Sequence, residues 1–229
     1  MKNKVSVVVP VYNEEKYIGL CLDSLEKQTE KLDQIIIVDN NCTDKTIQIA
    51  KKYKQSLPIK IIKERKQGLI FARNTGFNKA KGDILARCDA DSILPPDWIK
   101  KIKEDFLKNK VDGLTGPIIF YDFFLKTSFF SKIYLLLMKI LQNGETLIGP
   151  NMAISKNIWQ KIKKKVCFNE KDIHEDIDLS LHILKNNGKI IYDFNLIAYA
   201  SSRRIVKTPW IFFINYPWRL LKNLLSHRF

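Results

Sequence analysis

Four short apolar runs, Val5 to Val11, Ile35 to Val38, Ile59 to Ile62 and Ile84 to Cys88, punctuate the N-terminal part of this chain. Runs of this length, rich in Val and Ile, suit strands buried on both faces of a sheet. Helical patterns lie between them. Asn13-Glu14-Glu15 opens a helix whose apolar stripe is Ile18, Cys21, Leu22 and Leu25, ending near Gln28. Asp44 stands as a cap before a helix from Lys45 to Tyr53, and Gly68 leads into a helix carrying Phe71, Ala72 and Phe77. Strands and helices that alternate with short connections predict an α/β fold, a mainly parallel sheet covered on both faces.

Ligands of such open sheets bind beyond the carboxyl ends of the strands. Those ends are polar here: Tyr12-Asn13-Glu14 after the first run, Asp39 after the second, and Asp89 and Asp91 after the fourth. In an extended chain alternate side chains share a face, so Asp89 and Asp91 can point into one small volume. Two anions that close call for a cation, and a hard divalent ion carrying a substrate diphosphate suits oxygen ligands. The alternative is a surface turn, with Pro95-Pro96 close behind. Polar residues at three strand ends argue against a turn and nothing more.

A chain of 229 residues can bury one good core, and 45% apolar residues with four Trp exclude wholesale disorder. The net charge of +15 favours phosphorylated substrates, anionic lipid or nucleic acid as partners and says nothing of the fold. Cys21, Cys42, Cys88 and Cys167 are widely spaced and read as reduced thiols, while His174, His182 and His227 offer no ligand cluster. The apolar run after Met1-Lys2-Asn3-Lys4 is too soon interrupted for a signal peptide, and no apolar segment reaches the roughly 20 residues of a spanning helix.

Four stretches together resemble family 2 glycosyltransferases, nucleotide-sugar-dependent enzymes with the Rossmann-like A-type fold. They are Val7 to Glu15; Val38-Asp39-Asn40-Asn41-Cys42-Thr43-Asp44; Ala72-Arg73-Asn74-Thr75-Gly76 running on to Asp89-Ala90-Asp91; and Gly149-Pro150-Asn151-Met152-Ala153 followed by Glu175-Asp176. The resemblance implies a catalytic domain over residues 1–205, with a nucleotide-binding half at 1–92 and an acceptor half at 93–205. Pro10, Tyr12, Glu14 and Asp39 would then face the nucleoside, and Arg73 would lie near the base or phosphates. Asp89 would approach the ribose or the metal, and Asp91 would bind Mn²⁺ or Mg²⁺ on the donor diphosphate. Asp176 would be the general base, made more basic by Glu175 and Asp178, with Asn151 and Glu175 on the acceptor side and inversion at the anomeric carbon.

Two places depart from the family pattern. Asn40-Asn41 replaces the acidic and glycine positions usual after Asp39, and the strand region after the base motif, Ala198 to Arg204, lacks the His that many relatives carry there. Ser202-Arg203-Arg204 stands there instead, resembling an element of some family members, and paired arginines suit a phosphate.

Phe123 to Leu141 is apolar but broken by Lys126, Lys132 and Lys139, and suits an interfacial helix, a cover on the sheet or a homodimer contact. Residues 206–229 interleave Trp210, Phe212, Phe213, Tyr216 and Trp218 with Arg219, Lys222 and Arg228, and no acidic residue follows Asp193. That pattern fits peripheral attachment to an anionic membrane, here the inner face of the cell membrane, and a saccharide or lipid-linked acceptor. A polyprenyl-phosphate sugar transferase is the alternative enzyme, and a non-catalytic nucleotide or nucleic-acid binding module the alternative of another class. Nucleic acid is disfavoured, because the basic residues do not line an aromatic stacking platform.

Overall fold

A computed structural model of the protein describes residues 3–123, 136, 139–140, 144–168 and 173–203. In chain order the elements are β1 (Val5–Val11), α1 (Ile18–Glu26), β2 (Gln34–Asp39), α2 (Thr46–Lys52), β3 (Ile59–Lys63), α3 (Leu69–Lys79), β4 (Ile84–Arg87), α4 (Trp98–Asn109), β5 (Gly113–Thr115), β6 (Ile118–Phe120), β7 (Met152–Ser155), α5 (Lys156–Ile162), α6 (Glu175–Lys185), β8 (Ile190–Tyr192) and β9 (Ala198–Ala200). Short 3-10 turns cover Tyr53–Gln55 and Gly149–Asn151. One sheet runs β3-β2-β1-β4-β7-β5-β8, and β6 pairs with β9 beside it.

The expected parallel α/β arrangement holds for the N-terminal half, where β1 pairs in parallel with β2 and β4, and β2 with β3. The second half is mixed: β7 runs antiparallel to both β4 and β5, and β8 is parallel to β5. Alternation along the central strands builds a core on each face. Val5, Val7, Val9, Ile35 and Ile37 pack toward α1 and α4, while Val8, Ile36 and Val38 pack toward α3, α5 and α6. Every residue of β1 is buried, which is why the run is continuously apolar rather than alternating.

Two local expectations change. The first helix begins at Ile18 rather than at Asn13. Asn13 is left-handed, with φ of 54°, and its Oδ1 accepts the Thr43 N–H at 2.8 Å, while the Glu14 N–H donates to Thr46 Oγ1 at 2.7 Å. Residues 13–17 are therefore sewn to the loop after β2 instead of starting a helix. Similarly β4 ends at Arg87, and the Ser92 N–H closes a turn on the Asp89 carbonyl at 3.1 Å. The Asp-x-Asp stretch is a turn and not an extended strand.

Candidate active site

Beyond the carboxyl ends of β1 and β4 opens a cavity of about 560 Å³. Pro10, Tyr12 and Glu14 from the end of β1 line it, as do Asp89 and Asp91 from the turn after β4 and Arg203 from the chain after β9. The turn thus delivers both carboxylates to the cavity. Asp39 does not line it; its Oδ1 accepts the Cys42 N–H at 2.8 Å, and its neighbour Asn40 forms the wall there.

The departure at Asn40-Asn41 has a structural use. Asn40 Nδ2 donates to the carbonyls of Glu64 and Lys66 at 3.0 and 2.7 Å, and Asn40 Oδ1 accepts the Gly68 N–H at 2.8 Å. Asn41, left-handed at φ of 67°, donates to the Arg65 carbonyl at 2.9 Å. Both asparagines clamp the 64–68 loop, whose last residue, Gly68, takes φ of 138° and lines the cavity at the start of α3. That backbone angle is one a side chain would strain.

Arg203 bridges the two sides of the cavity. Its Nε donates to Asp91 Oδ2 at 3.0 Å, Nη2 pairs with Glu14 Oε1, and the guanidinium lies 4.3 Å from the centre of the Tyr17 ring. Glu14 is buried, and its second oxygen, Oε2, has no hydrogen-bond partner among the described residues. An all-carboxylate donor set of Asp91, Asp89 and Glu14, with one buried oxygen unsatisfied, fits a hard divalent cation. A guanidinium already drawn to it marks where positive charge is favoured.

A second ionic group lies behind this wall. Glu175, at the start of α6, is held between two buried arginines: Arg73 Nη1 reaches its Oε2 at 2.5 Å and Arg87 Nη1 its Oε1, while Arg87 Nη2 donates to Asp89 Oδ1 at 2.8 Å. Burial alone would raise the Glu175 pKa, but the two guanidiniums outweigh it and hold the carboxyl below its ordinary value. Arg73 and Glu175 are partners of each other. Arg87 had no role in the sequence reading; its signal was a lone charge at the end of the apolar run Ile84-Leu85-Ala86.

Asp176 follows on the same first turn. Its Oδ2 accepts the Gly149 N–H at 3.2 Å and its Oδ1 the N–H of Ile177 at 2.9 Å. The carboxyl keeps some contact with solvent, yet the surrounding protein, ahead of the negative charge of Glu175, pushes its pKa up to about 6. Asp178 turns away: its Oδ2 accepts the Cys167 N–H at 3.0 Å and its Oδ1 lies 3.5 Å from His182 Nε2. Cys167, Asp178 and His182 thus do converge, with ligand atoms within 4.8 Å of one another, although their sequence spacing gave no hint of a cluster. Burial, then Asp178, pushes the Cys167 thiol up to about 12, so it stands neutral beside Asp178.

Asn151 is fully buried and spends its amide internally. Oδ1 accepts Trp98 Nε1 at 2.8 Å, and Nδ2 donates to the carbonyls of Pro117 and Leu196 at 3.2 and 2.6 Å. It ties α4 to the 3-10 turn and to the chain before β9. Arg204, most of Phe123 to Leu141 and residues 206–229 lie outside the described residues.

Residues 6–172 match the sequence profile described as glycosyl transferase family 2. The chain belongs to that family. This family 2 chain is 27% identical over 223 residues to the glycosyltransferase GlyA of Streptococcus pneumoniae serotype 4, a match covering 91% of this chain and 32% of the relative. It therefore spans about a third of the length of that curated relative. Among solved structures, the mannosyltransferase of Pyrobaculum calidifontis in complex with GDP-Man and Mn²⁺ superposes with TM-score 0.76 at 19% identity, covering 99% of this chain and 63% of that one. TarS 1-349 of S. aureus in complex with UDP-GlcNAc superposes with TM-score 0.70 at 24% identity, covering 86% and 58%. Both likenesses establish the glycosyltransferase A-type fold of this family 2 chain.

Proposed function

We propose that the chain is an inverting glycosyltransferase that moves a sugar from a nucleotide-diphosphate donor, a uridine diphosphate sugar first among candidates, to an acceptor hydroxyl. What carries the reading is the convergence of Glu14, Asp89 and Asp91 on one cavity at the carboxyl ends of β1 and β4. Pro10 and Tyr12 on its wall give the nucleoside an apolar and aromatic surface. Asp91, with Asp89, holds the divalent ion, Mn²⁺ or Mg²⁺, which when bound neutralises charge on the departing diphosphate. Arg203 adds a guanidinium to those phosphates.

Asp176 takes the proton of the acceptor hydroxyl. The hydroxyl oxygen bonds to the anomeric carbon on the face opposite the leaving diphosphate, whose glycosidic oxygen departs with the bonding pair, and the configuration inverts. A carboxyl raised to about 6 is a better proton acceptor than an ordinary one and is still ionised near neutrality. The Gly149 N–H holds one of its oxygens in place.

A membrane-borne acceptor, a lipid-linked saccharide or glycolipid reached from the inner membrane face, is favoured by the basic excess and by residues 206–229. No helix among the described residues is long and apolar enough to cross a membrane. The test is donor binding and hydrolysis across a panel of nucleotide sugars, with and without Mn²⁺, for wild type and Asp91→Ala. Metal-dependent use of one donor, lost in the variant, supports the reading. Failure to engage any donor with any metal sinks it.

A further inference from the structure

We infer that Arg87 is a positioning residue that ties the metal aspartate Asp89 to the segment carrying the base, with Gly149 as the roof over the tie. This rests on the transferase reading above, which places Asp89 at the metal and Asp176 at the acceptor proton. Arg87 gives Nη2 to Asp89 Oδ1 at 2.8 Å and Nη1 to Glu175 Oε1. A guanidinium is a rigid planar fork, so the two carboxylates it grips are fixed relative to each other. Arg73 locks the far side, giving Nη1 to Glu175 Oε2 at 2.5 Å and to the Glu175 carbonyl at 2.7 Å. The residue next to Asp176 is thereby held through side chain and backbone together.

Gly149 supplies an independent sign. A Cβ built on it would stand 3.0 Å from Arg87 Nη1, from Arg87 Nη2 and from Glu175 Oε1, so a bare backbone closes over the ion pair. The same residue donates its N–H to Asp176 Oδ2. Packing of the pair and orientation of the base thus meet at one peptide unit.

Stability alone does not account for this arrangement. Buried ion pairs often stabilise no better than apolar residues of similar volume, and this one leaves Arg87 Nε and Arg73 Nη2 buried without hydrogen-bond partners among the described residues. An apolar residue at position 87 would continue the run Ile84-Leu85-Ala86. What the arginine adds is a link between an Asp-x-Asp carboxylate and the neighbour of the base.

The test compares Arg87→Lys and Gly149→Ala with wild type in three measurements: Mn²⁺ affinity by electron paramagnetic resonance, UDP affinity with Mn²⁺ by calorimetry, and kcat and KM on the donor selected above. Lysine keeps the charge but lacks the planar fork that fixes two carboxylates relative to each other. Loss of such an outer-shell partner typically costs about 10–100-fold in metal affinity or activity, and that is the expected fall for Arg87→Lys in both Mn²⁺ affinity and kcat. Gly149→Ala should lower kcat about tenfold with donor KM within twofold of wild type, since it presses on the pair and on the base without touching the cavity. Wild-type Mn²⁺ affinity and kcat in Arg87→Lys would overturn the inference. So would losses in both variants that merely follow the folded fraction seen by circular dichroism. If Arg87→Lys does not fold, unchanged kcat in Gly149→Ala overturns it. If wild type turns over no donor, the transferase reading has failed, and Mn²⁺ affinity in Arg87→Lys decides the tie alone.

Discussion

On the proposed function, Asp176 and Arg203 are the residues at which single substitutions should tell most. Burial first, and Glu175 second, raise the Asp176 pKa to about 6. A general base works deprotonated, so kcat/KM should fall as pH drops through about 6 and level off above it. Glu175→Gln removes a like charge and leaves two guanidiniums unbalanced. Both changes favour the ionised base, so the acid limb should move to lower pH; a limb that stays or rises would detach Glu175 from Asp176. Asp176→Asn should cost about 10²–10⁴-fold in kcat with donor binding intact. Activity retained in that variant would point to an acceptor already ionised, such as a polyprenyl phosphate. Arg203 poses a competition. Without donor it satisfies Asp91 and Glu14, so Arg203→Gln should bind Mn²⁺ more tightly in the absence of nucleotide yet bind UDP with Mn²⁺ more weakly. Isothermal titration of each ligand reads the two signs, and a fall in both affinities would contradict the competition.

Elements and their junctions decide how much of this was readable from sequence. The strands were, because β1, β2 and β4 are buried on both faces and burial writes itself into local composition. The junctions were not. The start of α1 moved to Ile18 because Asn13 and Glu14 bond to Thr43 and Thr46, some 30 residues away, and that competition leaves no local periodicity. Arg73 and Glu175 were each singled out but assigned to ligands, since nothing local announces an ion pair across 102 residues. The internal bonds of Asn151 were hidden for the same reason. Its partners come from α4, from the chain before β6 and from the chain before β9, so the amide joins three junctions in the second half of the chain. Asn151→Ala would leave the Trp98 indole N–H and the Leu196 carbonyl buried and unpaired, at about 1–3 kcal/mol each, while the Pro117 carbonyl keeps the Ala198 N–H. Urea unfolding should show a loss of about 2–5 kcal/mol, with KM for donor unchanged in the protein that remains folded. Unchanged stability with a raised KM for the acceptor would restore the acceptor role instead.

The whole molecule divides its labour along the sheet. The parallel half, β3-β2-β1-β4, presents carboxylates at its carboxyl ends, and Asp176, the base of the proposed reaction, lies on α6 in the second half of the chain. The net charge of +15 surrounds that acidic site with a field that draws anions in. Residues 206–229 concentrate the effect, with Lys207, Arg219, Lys222 and Arg228, no acid, and Trp210 and Trp218 among apolar neighbours. Each basic side chain near an anionic surface is worth about 1 kcal/mol, so four of them alone give modest binding and the apolar residues must add to it. Two components predict a graded response to salt. The Debye length falls from about 10 Å at 0.1 M to about 3 Å at 1 M, which removes the charge contribution and leaves apolar insertion. Sedimentation with phosphatidylserine vesicles should therefore show binding at 0.1 M salt that falls at 1 M to the same weak residue that neutral phosphatidylcholine shows at either concentration. A chain ending at residue 205 should lose vesicle binding at both concentrations while still binding UDP with Mn²⁺, which shows that it folds. Vesicle binding that survives this truncation unchanged would move the membrane contact elsewhere on the basic surface, and no binding to any vesicle would remove the membrane from the account of the acceptor.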